Sequence, residues 1–281
     1  MRVYNSTAQV QPDAMGAVLT IGNFDGVHLG HMALVKEVLS RARKLNRPSA
    51  AMTFHPHPVT VVAPDKAPPL INSMDERINL LEEAGLDILV IEKFDKDFSA
   101  LSPEDFARKV LFENIRPAAV IVGFNYGFGK GRSGGVDVLE MSGQKLGFEV
   151  VVVPPVMLGD LRVSSTGIRR SVENGDLNKA AKLLGRPFFV SGKVKRGAGR
   201  GATLGFPTAN LFMEPRLLPP LGVYACMALL RDKKWPAAVH LGPAPTFGVP
   251  YTVEAHLIGF DGGDLYGRNI KLEFYHYVRG I

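Results

Sequence analysis

The sequence predicts two architectures in series. An α/β domain on a doubly wound parallel sheet occupies residues 1–185, and an all-β domain occupies residues 186–281. Three observations carry this reading. Short apolar runs alternate with segments of helical periodicity through the first part. Helical periodicity disappears after Leu184-Gly185-Arg186-Pro187. Beyond that point apolar runs are separated by turn chemistry such as Asp232-Lys233 and Asp261-Gly262-Gly263-Asp264.

The first strand is the apolar run Val18 to Ile21, followed by a Gly-rich loop. Met32 to Leu45 has helical spacing, with Leu34, Val35, Val38 and Leu39 on one face. Ser49 to Phe54 reads as a strand. Ser73 and Glu76 form a capping-box pattern that opens a helix to about Ala84. Ile88 to Ile91 is a strand. Ser102 caps a helix with Pro103 in its first turn, running to about Ile115. Val120 to Gly123, a helix over Val136 to Leu146, and Val150 to Val153 complete the alternation. Such a sheet is covered on both faces, and its ligands sit at the C-terminal strand ends. In the second part Phe188 to Lys195, Val223 to Leu230, Pro236 to Leu241, Tyr251 to Ile258 and Asn269 to Tyr277 read as strands of a small barrel or sandwich.

Composition excludes several classes. At 46% hydrophobic the chain can bury a core, so disorder is excluded. Cys226 is the single cysteine, which excludes an internal disulfide and favours a reducing cytoplasm. No apolar run approaches the ~20 residues of a membrane span, and the N-terminus lacks the apolar stretch of a signal peptide. The first 185 residues carry equal numbers of positive and negative side chains. The whole formal excess of +6 therefore lies in residues 186–281, much of it at Lys193, Lys195, Arg196 and Arg200. A patch of this kind attracts phosphate, on a nucleotide or a nucleic acid.

Two loops carry chemistry. Gly22-Asn-Phe-Asp-Gly-Val-His-Leu-Gly-His31 lies between the first strand and the first helix. Its glycines permit close approach of the backbone to a ligand, and the helix N-terminus beyond it favours an anion. His28 and His31, separated by Gly30, can donate to a phosphate or stabilise developing charge. His55 and His57 end the next strand and could face the same crevice. The second loop has four glycines between Gly197 and Gly205 and can cradle phosphates, without the ending of a Walker motif. Thr208 and Asn210 follow on one face and are hard ligands suited to Mg²⁺, or else form a proline turn with an Asx-type bond. Glu254 and His256 point away from Val253, Ala255 and Leu257, which by pattern alone is a solvent face.

The Gly22–His31 segment resembles the HxGH-type adenylyltransferases, and more narrowly the bifunctional bacterial riboflavin kinase/FMN adenylyltransferase family. Thr53-Phe-His-Pro-His-Pro58, Gly123-Phe-Asn-Tyr-Gly-Phe-Gly-Lys130, Val163-Ser-Ser-Thr-Gly-Ile-Arg169 and Gly201-Ala-Thr-Leu-Gly-Phe-Pro-Thr-Ala-Asn-Leu211 resemble further family segments, in the same order along the chain. His55 stands where the family has Glu, Asn125 where Asp is frequent, and Gly167 where Arg is common. The resemblance implies a Rossmann-like nucleotidyltransferase domain followed by an antiparallel β-barrel kinase domain.

The resemblance also implies roles. Asn23, His28 and His31 contact ATP phosphates and stabilise the transition state, with Gly22 and Gly30 bounding the loop. Ser164, Ser165, Thr166 and Arg169 close over the β and γ phosphates, Ser164 or Ser165 serving also as a helix cap. Asn125 lines the flavin crevice. Gly201 and Gly205 hold the phosphates of the second site, Thr208 and Asn210 its Mg²⁺ and ATP, and Glu254 is the general base. The implied partners are riboflavin, FMN and ATP, with no membrane; nucleic acid is disfavoured, and a homo-oligomer is compatible. The family extends past Ile281, so the kinase domain reads as short at its C-terminus. The rivals are an adenylyltransferase with an inactive kinase module, a nucleotidyltransferase with another acceptor, and a flavin- or nucleic-acid-binding regulator.

Overall fold

The computed structural model describes residues 1–195, 208–231, 233–243 and 251–281. The chain divides into two compact units, residues 1–68 with 74–163, and residues 69–73 with 164–281.

The first unit contains β1 (Arg2–Tyr4), β2 (Val18–Ile21), α1 (Leu29–Leu45), β3 (Ser49–His55), α2 (Pro58–Val62), α3 (Met74–Glu83), β4 (Ile88–Lys93), α4 (Lys96–Ser99), α5 (Pro103–Asp105), β5 (Ala119–Gly123), α6 (Val136–Leu146), β6 (Glu149–Val153) and the small hairpin β7 (Met157–Leu158) and β8 (Leu161–Arg162). The six main strands lie in the order β1-β4-β3-β2-β5-β6, and every pairing is parallel. All four residues of β2 are buried, as are Ala119 to Val122 of β5. Continuous burial is what a sheet covered on both faces requires. Leu19, Ile21, Met52, Val90, Val120, Val122 and Leu139 share one core cluster. Strand order reverses between β2 and β5, so the ligand crevice of the sheet falls beyond Ile21 and Gly123.

Three of the departures from the pattern reading have a local cause. β1 is only three residues long, too short for alternation to show, and pairs with β4 at the sheet edge. α1 begins at Leu29, ahead of Met32, because His28 caps it. The helix expected from Ser102 to about Ile115 is one α turn that continues as π-helical turns over Phe106–Phe112. The wider turn gathers the buried Phe106, Ala107, Val110 and Leu111 onto a narrower face than an α pitch would.

The second unit opens with α7 (Ser165–Glu173) and α8 (Leu177–Leu184), followed by β9 (Phe188–Lys195), β10 (Ala209–Phe212), β11 (Gly222–Leu230), β12 (Lys233–Pro243), β13 (Tyr251–Leu257) and β14 (Asn269–Arg279). These six strands close a barrel in the order β10-β13-β12-β11-β14-β9, all antiparallel. The all-β half is therefore a barrel and not a sandwich. The compact unit starts ahead of residue 186 because α8 buries Leu177, Ala180, Leu183 and Leu184 and packs on β9 and β14. Residues 69–73 join it through backbone carbonyls: Leu70 accepts from the Leu217 N–H, and Ile71 from the Arg216 guanidinium.

Alternation along β11 points Tyr224, Cys226 and Ala228 inward. Burial pushes the Cys226 thiol up from its ordinary value, outweighing a backbone hydrogen bond at Tyr275 that acts the other way. A raised thiol pKa keeps the neutral, unreactive form, and the stability tied to it is full below the ordinary thiol value and is lost as pH rises from there through the folded value. We expect native Cys226 to react with a thiol reagent at pH 8 at least ~10-fold more slowly than in the denatured chain. Equal rates in buffer and in denaturant would contradict this.

Candidate functional site

In the first unit the loop between β2 and α1 is held in an uncommon conformation. Phe24 and Val27 have φ of 48° and 36°, beside Gly26 at 95°. A β-branched residue in the left-handed region is strained. Here Phe24 and Val27 are buried in the core, which offsets the strain and sets the path of the loop.

That path brings the two loop histidines together. The His28 and His31 rings stack at 3.6 Å with an interplanar angle of 12°, and Phe24 meets His31 edge-on at 5.2 Å. His28 is the N-cap of α1, and its Nδ1 accepts from the His31 backbone N–H at 3.2 Å. Accepting at Nδ1 leaves the ring proton of neutral His28 on Nε2. A side chain at Gly30 would come within 3.1 Å of the His28 ring. The bare backbone at Gly30 thus lets the His28 ring lie close against the loop. Gly22 donates to the Met52 carbonyl at 3.0 Å and carries the β2–β3 pairing into the loop.

Asn23 is half-buried, and its side-chain Nδ2 lies 3.3 Å from Nε2 of His57. Its backbone carbonyl accepts from Thr53 Oγ1 at 3.2 Å, and Thr53 Oγ1 in turn accepts from Arg77 Nη1 at 3.4 Å. Arg77 is 2% exposed. Burial lowers its pKa, and the charge of the buried Asp25 opposes that shift. Sequence reasoning missed Arg77, because an arginine in an amphipathic helix reads as surface. It also paired His55 with His57. The structure separates them: His55 is exposed, and His57 is buried beside Asn23.

Asn125 is exposed in the turn after β5, where its carbonyl accepts from Arg132 at 3.3 Å. Because β5 pairs with β2, this turn and the histidine loop lie at the same end of adjacent strands.

In the second unit Ser164 caps α7, its hydroxyl accepting from the Gly167 N–H at 3.1 Å. Ser165 is half-buried and Thr166 exposed in the first turn. The Arg169 Nε donates to the Pro69 carbonyl at 2.8 Å, which ties residues 69–73 to this helix. Gly201 and Gly205 lie outside the described residues. Thr208 and Asn210 are half-buried at the start of β10. Asn210 stands opposite Glu254 of β13 in register, and Glu254 stands opposite His240 of β12. Their neighbours Ala209, Leu211, Val253 and Ala255 fill the barrel. One outer face therefore carries an amide and a carboxylate on adjacent strands, with Cβ atoms ~5 Å apart.

Two families match successive parts of the chain. A family described as FAD synthetase matches residues 10–167, and one described as riboflavin kinase matches residues 184–281. The chain is 39% identical to the bifunctional riboflavin kinase/FMN adenylyltransferase of Escherichia coli (strain K12), over 92% of this chain and 82% of that protein. It is 34% identical to the protein of the same name from Bacillus subtilis (strain 168), over 96% of this chain and 86% of that one. A solved structure of a protein from Streptococcus pneumoniae, named as a macrolide-efflux protein, matches with a TM-score of 0.86 at 29% identity, covering 100% of this chain and 91% of that one. Among the described residues, no helix is long and apolar enough to cross a membrane.

Proposed function

The chain belongs to the bifunctional riboflavin kinase/FMN adenylyltransferase family, and from that premise we propose which of its residues carry the two reactions. It is an ATP-dependent transferase of flavin cofactor biosynthesis that phosphorylates riboflavin to FMN and adenylylates FMN to FAD. We assign adenylylation to residues 1–185 and phosphorylation to residues 186–281. The lone, buried thiol of Cys226 suits the cytoplasm.

In adenylylation a phosphate oxygen of FMN attacks the α-phosphorus of ATP, and pyrophosphate leaves. No protein nucleophile is needed, so the work is positioning and charge stabilisation. His28 and His31 meet the charge that develops on the phosphates, Asn23 donates beside them, and the first-turn N–H groups of α1 add to the field. The observation that carries this reading is the cap at His28: its own helix occupies Nδ1, so the ring presents an Nε2–H donor. Ser164, Ser165, Thr166 and Arg169 belong to the β and γ phosphates, as hydroxyl, backbone and guanidinium donors. Asn125 belongs to the flavin side.

In phosphorylation Glu254 removes the proton of the terminal ribityl hydroxyl, whose oxygen attacks the γ-phosphorus as ADP leaves. Thr208 and Asn210 offer a hydroxyl and an amide oxygen, hard donors that fit Mg²⁺. When bound, the ion neutralises phosphate charge. Asn210 and the Thr208 hydroxyl would hold it, and we assign Gly201 and Gly205, which precede them in sequence, to the phosphates.

Chromatography of the flavins made from riboflavin with Mg-ATP, beside a reaction fed with FMN, tests the whole reading. FAD in both is expected. FAD from FMN alone would overturn the kinase half, and FAD in neither would overturn both.

A further inference from the structure

We infer that His57 is a positioning residue for adenylyl transfer, setting which end of the Asn23 amide is presented to the phosphates. The inference rests on the reading of Asn23 as a phosphate donor.

The argument begins with the prolines. His57 lies between Pro56 and Pro58, and a residue before proline is confined to extended backbone. His57 takes that conformation, at φ −60° and ψ 130°, and becomes the N-cap of α2. Its Nδ1 accepts from the Val59 N–H at 3.3 Å. An accepting Nδ1 carries no proton, so the ring is neutral and its hydrogen is on Nε2. The atom placed as Nδ2 of Asn23 lies 3.3 Å from that Nε2, an arrangement that would set one N–H against another. The oxygen and nitrogen of an amide have the same shape, and only the hydrogen-bond network tells them apart. The backbone N–H of Val59 fixes the donor at Nε2, so the amide is assigned the other way round, with the oxygen of Asn23 toward His57. The NH₂ group is thereby turned away from His57 and remains a donor for an anion.

The surroundings restrict what else His57 could be doing. The backbone of Asn23 is secured independently, through Thr53 and Arg77. His57 is 9% exposed, so its contact is sheltered from water that would scramble the amide. The two ring nitrogens therefore have separable duties: Nδ1 caps α2, and Nε2 orients Asn23.

Two substitutions separate those duties in the full chain. His57→Asn places an amide oxygen near Nδ1 and keeps the cap, with nothing at Nε2. His57→Gln places an NH₂ group near Nε2 and keeps the contact to Asn23. FAD formation from FMN is measured as kcat and KM, with riboflavin phosphorylation by the same preparation reporting folding. We expect His57→Asn to lower kcat about 5- to 10-fold, the worth of one hydrogen bond, and His57→Gln to stay within about twofold. On an Asn23→Ala background the His57→Asn change should add nothing, because the two residues act as one unit.

Equal losses in the Asn and Gln variants would overturn the inference and leave His57 as a helix cap. So would a loss in His57→Asn that persists on the Asn23→Ala background. Full adenylylation by Asn23→Ala alone would overturn the reading of Asn23 and the inference with it.

Discussion

Replacing His28 by alanine should lower FAD formation from FMN by ~10²–10³-fold, the usual cost of one preorganised donor to developing charge. Riboflavin phosphorylation should be unchanged, since its residues lie in the other unit. The alanine also removes the cap of α1, worth ~1 kcal/mol, so loss of activity could reflect a frayed helix. His28→Asn resolves this. Its amide oxygen can accept from the His31 N–H as Nδ1 does now, and asparagine is among the best capping residues. It has no counterpart of Nε2–H. The asparagine variant should melt close to the parent and still be defective in adenylylation, as read by thermal melting and flavin chromatography. Recovery of activity in His28→Asn would reduce His28 to a cap and move the catalytic charge to His31.

The second large effect belongs to the barrel. Glu254→Gln should lower riboflavin phosphorylation by ~10²–10⁴-fold, the range for loss of a general base, and spare FAD formation from supplied FMN. Glutamine keeps the size and hydrogen-bonding reach of the side chain opposite Asn210 and His240. It cannot take a proton. Fold and neighbours are thus preserved while the chemistry is removed. Kinase turnover near the parental value in this variant would sink the assignment of Glu254.

Much of this was readable along the chain, for a local reason. The apolar run at Val18 to Ile21 and its glycine loop mark a strand feeding a helix, because a glycine-rich turn and a helix N-terminus are neighbours in sequence as well as in space. The same holds for His28 and His31, which the first turn of α1 holds side by side. Thr208 and Asn210 share a face because side chains alternate along an extended chain. Burial along β11 and β13 follows the same period of two.

Periodicity assigns a residue to a face and is silent about what stands opposite. Strand order decided that the turn at Asn125 lies beside the histidine loop, because β2 pairs with β5 across nearly a hundred residues of chain. Closure of the barrel decided that Glu254 stands opposite Asn210, so a strand position that reads as solvent-facing lies beside an amide on the neighbouring strand. Packing decided that Arg77 is buried beneath the loop and that His57, not His55, reaches Asn23. Composition, caps, turns and the faces of strands and helices are local, and the amino-acid order carries them. Partners between distant segments follow from how those faces are stacked to bury apolar surface, and they exist only in the folded chain.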